Sequence, residues 1–278
     1  MPSENSVTAL SGTQGRVKTS AETAAQIDTE LPGPDRRTRK REARRNDLMD
    51  LAAHIIDSAG VDGLTMAALA QAADYAPASL YTYFRSRSEL LAALQQRALL
   101  LLHDLAQSRQ LQWEQALADL SPVPTASVAA LVKLWAFSAL FLSAPQTHKR
   151  EFRLQQQLLV TAGVESTADA AAVVPVAMLV VEVPRQLLVA AEKTGALQPQ
   201  PCSANPLEES LDGSMLRTFT WILGLNGALL ADGLSTGLPT TGAALGEVLT
   251  QGLLQGWGAS VDESATARAL ARTICEPI

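Results

Sequence analysis

The chain of 278 residues has only two cysteines and three histidines. Cys202 and Cys275 lie far apart, and neither has a companion at the spacing of a metal ligand, so the sequence predicts a reduced protein without a disulfide framework. His54, His103 and His148 are isolated from cysteine and carboxylate partners, so no metal site is predicted. No glycine-rich phosphate loop is recognisable, and no cofactor is expected.

The sequence motifs of enzymes and of membrane proteins are also scarce. No Ser/His/Asp grouping or nucleophile elbow is recognisable, and the adjacent Glu208 and Glu209 have the pattern of a solvated loop. The longest charge-free apolar runs, 134–144 and 170–181, are too short to span a bilayer, and no signal peptide is recognisable. These absences favour a cytoplasmic binding protein over a membrane protein or an enzyme built on a helical domain.

One stretch of this acidic chain is strongly basic. The formal net charge is −6, which argues against nucleic-acid binding over the whole surface, yet seven of the 22 lysines and arginines fall within residues 36–45. A local basic arm is typical of a DNA-binding module, where it contacts phosphates or the minor groove. The predicted contact residues of this arm are Arg36, Arg37, Arg39, Lys40, Arg41, Arg44 and Arg45.

Two short helices are predicted just beyond this arm. Thr65 has the residue type of an N-cap for a helix over 66–73, and Pro77 suits the first position of a second helix that reaches about Phe84. Leu80 and Phe84 would lock the second helix against the first. The outward side chains are then small or hydroxyl-bearing, as in a helix-turn-helix; they are Pro77, Ala78, Ser79, Tyr81, Thr82 and Tyr83.

The sequence around these helices closely resembles the DNA-binding segment of the tetracycline-repressor (TetR) family. The resemblance covers roughly 41–94, and its shared pattern is Thr65, Leu69, Ala70, Ala73, Leu80, Tyr81, Tyr83, Phe84, Ser86, Arg87 and Leu90. It implies a transcription regulator, most often a repressor, that binds a palindromic double-stranded operator as a homodimer and responds to a small molecule. It further implies phosphate contacts from Thr65, Tyr81, Tyr83 and Arg87, with Pro77, Ala78, Ser79 and Thr82 facing base edges.

Three positions depart from the family pattern. Asp74 replaces the usual turn glycine, Ala76 replaces a serine or threonine cap, and Pro77 replaces a polar side chain that often reads bases. An apolar cap costs about 1 kcal/mol and removes a hydroxyl that could meet a phosphate. These departures motivate an alternative prediction, a dimeric protein-interaction or adaptor module with a degenerate reading helix.

The predicted fold is all-α, with a three-helix DNA-binding domain followed by a helical bundle. Residues 1–34 lack apolar periodicity and are predicted to be a disordered extension. Residues 35–87 form the helix-turn-helix domain and 88–278 the effector-binding and dimerisation domain. Apolar periodicity predicts a first helix that ends at Gly60 and a connecting helix of about 20 residues. Later helices are predicted near 124–143, 146–160, 171–194, 208–231, 241–258 and 262–275, with a break at Ala144-Pro145.

Polar and aromatic groups that interrupt the apolar helices are candidates for a small-molecule site. They are His103, Trp135, Phe137, Phe141, Arg153, Glu182, Arg185, Trp221 and Asn226. The alternative for Glu182 and Arg185 is an intrahelical ion pair on a solvated edge. Pro184 is expected to kink its helix.

Small residues recur beside leucines in two late helices. Such a pattern lets helix axes approach closely, and it predicts a dimer interface at Gly224, Gly227, Leu230, Leu245, Leu249, Gly252, Leu253 and Gly256. The alternative is ordinary packing within one core.

Overall fold

The computed structural model describes residues 35–160, 167–199, 213–231 and 240–275. The predicted disorder of 1–34, Cys202 and the Glu208-Glu209 pair lie outside these ranges. The regular structure of the described residues is helical and contains no strand, which confirms the predicted all-α class. The chain divides into two units between Arg44 and Arg45.

Ten helices are described. They are α1 (Arg36–Gly63), α2 (Met66–Ala73), α3 (Pro77–Leu80), α4 (Arg87–Ala118), α5 (Ala126–Thr147), α6 (Lys149–Val160), α7 (Thr167–Lys193), α8 (Gly213–Leu230), α9 (Gly242–Gly256) and α10 (Val261–Cys275). Gly60 interrupts α1 with a positive φ of 75°, at the position where the sequence predicted a helix end.

The first apolar core lies between the later part of α1, the two short helices and the start of α4. Its fully buried members include Leu64, Leu69, Leu80, Phe84 and Leu90. The turn between α2 and α3 holds one left-handed residue, which needs no glycine because Asp tolerates that conformation. That residue is Asp74, with φ 56° and ψ 43°.

The second core is centred on α5, which packs along α10 and also contacts α7, α8 and α9. Trp221 of α8 is fully buried in it, and its indole N–H donates to Thr250 Oγ1 at 3.2 Å. By length and composition α5 and α7 could each span a bilayer, although the charge-free runs within them are shorter. The central position of α5 is that of a core helix.

Three predicted helix boundaries are wrong. The second helix of the reading pair ends at Leu80, after which residues 81–83 form a turn instead of continuing to Phe84. The connecting helix α4 has 32 residues, not about 20. The break expected at Ala144-Pro145 falls at His148, since a proline near the end of α5 removes only one bond of the helical ladder.

Candidate nucleic-acid interface and ligand cavity

The outward face of α3 and its following turn consists of the predicted small and hydroxyl-bearing residues. Pro77, Ala78 and Thr82 are exposed, Ser79 and Tyr83 are half-buried, and the Tyr81 side chain is 50% exposed. Leu80 and Phe84, which lie four residues apart in the same segment, are fully buried. They fix which side of the segment faces outward. This face offers hydroxyl groups and methyl groups without a formal charge.

Local hydrogen bonds hold this face in place. Thr65 Oγ1 accepts from the Ala68 amide at 3.0 Å, which confirms the predicted cap of α2. The Thr82 hydroxyl donates to the Ser79 carbonyl at 2.7 Å. The Tyr83 ring stacks on Tyr75 of the inter-helix turn, with ring centroids 6.5 Å apart. The α3 cap differs, because Ala76 makes no side-chain hydrogen bond there.

Arg87 and Arg45 of the predicted interface have partners inside the protein. The Arg87 Nε donates to the Leu64 carbonyl at 2.6 Å, and its Nη2 donates to the Val61 carbonyl at 2.7 Å. The Arg45 guanidinium lies 4.7 Å from the centroid of the Phe84 ring. Arg87 therefore ties the start of α4 to the turn before α2, a role that its sequence pattern did not reveal.

The remaining basic residues of the arm occupy the first turns of α1. Residues 36–44 are helical and exposed. The helix begins at Arg36, and the Arg39 amide donates to the Asp35 carbonyl at 3.0 Å.

A mostly apolar cavity of about 260 Å³ lies among α4, α5, α6, α7 and α8. Its described lining residues are Leu99, Leu102, Leu105, Ala106, Phe137, Leu140, Phe141, Ala144, Phe152, Gln155, Gln156, Ala177, Val180, Val181, Phe219, Ile222, Leu223 and Asn226. Three of the candidate ligand residues, Phe137, Phe141 and Asn226, are among them. The chain has five phenylalanines, and four line this cavity, so phenylalanine itself was a signal that could have located it.

The other ligand candidates do not line the cavity. Trp221 lies behind its wall, with its ring centroid 5.2 Å from that of Phe137. Trp135 faces α10, where its indole N–H donates to Ser264 Oγ at 3.3 Å. Arg153 is exposed, and His103 lies 3.2 Å from the Asp104 carboxylate.

Glu182 and Arg185 form an intrahelical ion pair, the alternative considered from the sequence. Arg185 Nε and Nη2 donate to the two Glu182 carboxylate oxygens at 2.6 and 2.7 Å, and Nη1 donates to Ser214 Oγ. The Arg185 hydrogen bonds lower the pKa of Glu182 against the opposing effect of burial. The pair links α7 to α8 outside the described cavity wall.

A second surface of interest is the face shared by α8 and α9. Gly227, Leu230, Leu245, Gly252 and Gly256 are exposed on it. Two large apolar side chains that the sequence prediction did not include are also exposed on these helices: Val248, at 69%, and Leu223, which also lines the cavity, at 61%. This face is apolar or small along both helices.

The other three candidate interface residues pack inside the chain. A Cβ added to Gly224 would lie 2.5 Å from Leu249 Cδ2, so these two residues form the close contact between α8 and α9. Leu253 packs against the second core. For these three the alternative, ordinary core packing, describes the observed contacts.

One segment of the chain is similar to a known protein family. Residues 48–94 match the family model for bacterial regulatory proteins of the tetR family. No curated protein matches the chain at a significant level of sequence similarity.

Several solved structures share the fold. The fatty acid degradation regulator FadR from Bacillus halodurans is 15% identical with a TM-score of 0.52, covering 78% of this chain and 97% of its own. SmeT, the repressor of the Stenotrophomonas maltophilia multidrug efflux pump SmeDEF, is 17% identical with a TM-score of 0.50, covering 80% and 94%. AibR in complex with isovaleryl coenzyme A and operator DNA is 16% identical with a TM-score of 0.50, covering 76% and 98%.

Proposed function

We propose that the chain is a cytoplasmic transcriptional regulator, most simply a repressor, because residues 48–94 match the family model for bacterial regulatory proteins of the tetR family. It binds a palindromic operator as a homodimer, and a small apolar ligand in the helical domain modulates that binding. The observation that carries the proposal is the outward face of α3 within the segment that matches the family. The proposal includes no enzymatic activity.

The DNA-binding half rests on two groups of residues. Thr65, Tyr81 and Tyr83 would contact phosphates, while residues 77–79 and Thr82 would lie against base edges, with methyl contacts to thymine more prominent than bidentate hydrogen bonds. The basic residues of 36–45 would add phosphate or minor-groove contacts. Arg87, which is held by two carbonyls, would position the reading pair.

The proposal that the chain is a homodimer rests on the apolar α8–α9 face. A single helix-turn-helix reads little sequence, and two heads about 34–36 Å apart fit successive major grooves. The face has Leu223, Leu230 and Val248 exposed beside glycines that would let a second copy approach closely. Burial of these side chains would contribute about 25 cal/mol per Å² of apolar area.

The proposal that a small apolar ligand modulates DNA binding rests on the cavity and on the helices that form it. An apolar pocket with a few polar groups is the usual form of a small-molecule site. Helix α4 contributes to the cavity wall through Leu99 and to the first core through Leu90 and Leu94. A ligand that prefers one arrangement of α4 would therefore shift the position of the reading pair.

The uncapped start of α3 favours one second candidate, a dimeric protein-interaction or adaptor module. Ala76 makes no side-chain cap, and the adjacent Pro77 has neither an N–H nor a polar side chain to offer a base. In that case the α3 face would bind without selecting a DNA sequence.

Selection of bound duplexes from a random DNA pool separates the two candidates. We expect the full chain to enrich one short palindrome, and Tyr81→Ala to weaken its binding without unfolding the protein. Replacing the basic residues of 36–41 by glutamine should lower the salt slope by about one for each phosphate that the variant no longer neutralises. Leu111→Gln, an exposed position on α4, serves as the control. Salt-sensitive binding with no enriched sequence would support the adaptor instead.

The proposed binding of a ligand in the cavity is tested by thermal-shift screening. We expect apolar compounds to stabilise the wild type, by about 2.7 kcal/mol when present at 100 times their Kd. Ala177→Phe, which fills part of the cavity wall, should abolish this stabilisation, whereas Ala118→Phe at the exposed end of α4 should retain it. Stabilisation that survives Ala177→Phe would assign the ligand to another site.

A further inference from the structure

The described wall of the cavity has no charged side chain. Its polar members are three neutral amides, Gln155, Gln156 and Asn226, among leucine, valine and phenylalanine side chains. A charged group that enters such a site loses its hydration and finds no ion partner there, which is strongly unfavourable. The part of the wall that the structure describes therefore disfavours carboxylates, phosphates and ammonium ions.

One of the three amides has a buried oxygen without a hydrogen-bond partner. The Gln155 Oε1 atom is buried and accepts no hydrogen bond. Asn226, by contrast, donates through Nδ2 to the Ile222 carbonyl at 3.0 Å. Buried polar atoms are normally paired, so the orphaned oxygen of Gln155 indicates an acceptor whose donor comes from outside the chain.

The position of Gln155 on α6 explains its burial. Phe152, Gln155 and Gln156 share the face that lines the cavity, while Leu154 faces the first core and packs there. Gln155 therefore lines the cavity from the same helix as Phe152. A ligand in the cavity could donate a hydrogen bond to Gln155 Oε1 while its apolar part stays in contact with the apolar wall.

We infer that the ligand of this cavity is a neutral, largely apolar alcohol or phenol whose hydroxyl donates a hydrogen bond to Gln155 Oε1. The inference rests on the proposed ligand-binding role of the cavity. A cavity of 150 Å³ accommodates benzene, so about 260 Å³ accommodates roughly ten non-hydrogen atoms. Four phenylalanine rings in the wall suit an aromatic or a compact aliphatic skeleton of that size.

The test is titration of the full chain with three aromatic probes of matched size: 4-propylphenol, 4-propyltoluene and 4-methylbenzoate. Near neutral pH the phenol is uncharged and the benzoate is an anion. Each probe is measured against the wild type, Gln155→Leu and Gln156→Leu by calorimetry. The Gln156→Leu variant is the matched control, since it changes an adjacent amide of the same wall that has no buried, unpaired atom.

In the wild type we expect the benzoate to bind at least about tenfold more weakly than the phenol, because its charge finds no partner. Gln155→Leu should shift the ratio of phenol to toluene affinities by about tenfold toward the toluene, the value of a hydrogen bond to a buried acceptor. Gln156→Leu should leave that ratio within about twofold. The unliganded Gln155→Leu protein should also melt at a higher temperature, since the orphaned oxygen is gone.

The outcomes that overturn the inference are distinct. A phenol-to-toluene ratio unchanged by Gln155→Leu removes the hydroxyl contact but keeps an apolar ligand site. Equal binding of the benzoate removes the requirement for neutrality. Failure of all three probes to bind the wild type removes both the inference and the ligand half of the proposed function.

Discussion

Arg87 lies at the first position of α4, and its guanidinium donates to the carbonyls of Val61, at the end of α1, and Leu64, in the turn before α2. Hydrogen bonds from charged donors to partly buried acceptors contribute about 1.5–3 kcal/mol each. We expect Arg87→Ala to lower the free energy of unfolding by about 3 kcal/mol, measured by urea denaturation. Arg87→Lys should recover only part of it, because one ammonium lacks the fork of a guanidinium.

Arg85→Ala is the control for this prediction. Arg85 is 90% exposed and pairs with Glu89 of the same segment, so its loss should change stability by less than about 0.5 kcal/mol. If Arg87→Ala weakened DNA binding while leaving the stability unchanged, Arg87 would instead be the phosphate contact predicted from the sequence.

Glu247 on α9 provides a prediction for acid pH. Burial opposes its ionisation, but hydrogen bonds and charges from Arg268 and Arg272 lower its pKa below the ordinary value of 4.5. A carboxyl group whose pKa is lowered by folding stabilises the protein above its unfolded pKa and loses that contribution as the pH falls through the folded value. We therefore expect Glu247→Gln to melt at a lower temperature than the wild type near pH 7. The difference should disappear in strong acid, and a difference independent of pH would contradict the assignment.

At the scale of elements, α8 and α9 leave apolar side chains exposed along one face. Val248 is 69% exposed and Leu223 61% exposed on this face. We expect Val248→Arg to shift the protein from dimer to monomer in analytical ultracentrifugation, since a second copy would have to bury an unpaired charge. The monomer should keep its helical content because the substituted side chain contacts solvent.

Val261→Arg is the matched control for the dimer prediction. Val261 begins α10 and is 64% exposed outside the α8–α9 face, so the oligomeric state should not change. Loss of the dimer in both variants, or in neither, would place the interface elsewhere.

Helix α4 illustrates what sequence periodicity could and could not predict. Its start was predictable to within two residues, because Ser86 and Ser88 both have the residue type of a cap; the Ser86 hydroxyl is the one that accepts from the Glu89 amide, at 3.0 Å. Its length was underestimated because the apolar pattern thins after Leu105, although no proline or glycine stops the helix before Ala118. Capping residues and breakers are local signals, so they mark helix ends better than apolar spacing does.

The cavity was predictable only in part, for a different reason. Its walls come from five helices that are distant in sequence, and a side chain lines it or misses it through packing that periodicity does not encode. Phe137 and Phe141 were predicted because they interrupt the α5 pattern as aromatics. Trp135 shares their helix but faces α10, and Gln155 carried no signal that separates it from its glutamine neighbours.

At the scale of the whole molecule, α6 lies between the ligand cavity and the first core. Phe152 and Gln155 line the cavity, Leu154 packs with the first core, and Arg150 Nε donates to Asp57 Oδ2 of α1 at 2.7 Å. A ligand that displaces α6 would therefore act on α1 as well as on α4. Coupling between two sites requires such an element with different contacts in the two states.

We expect Arg150→Ala to uncouple ligand from DNA without preventing either from binding. In the wild type a cavity ligand found by screening should change the operator Kd by about 5–150-fold, the usual range of allosteric coupling. Removing the Arg150–Asp57 bridge should reduce that factor severalfold, because single substitutions along a coupling element change the coupling free energy by about 0.5–2 kcal/mol. Operator titrations with and without saturating ligand measure the factor directly. Lys133→Ala, which removes a pair with Glu114 of similar length away from α1, should leave the factor unchanged. An Arg150→Ala protein with the full wild-type factor would leave α4 alone as the connection between cavity and reading pair.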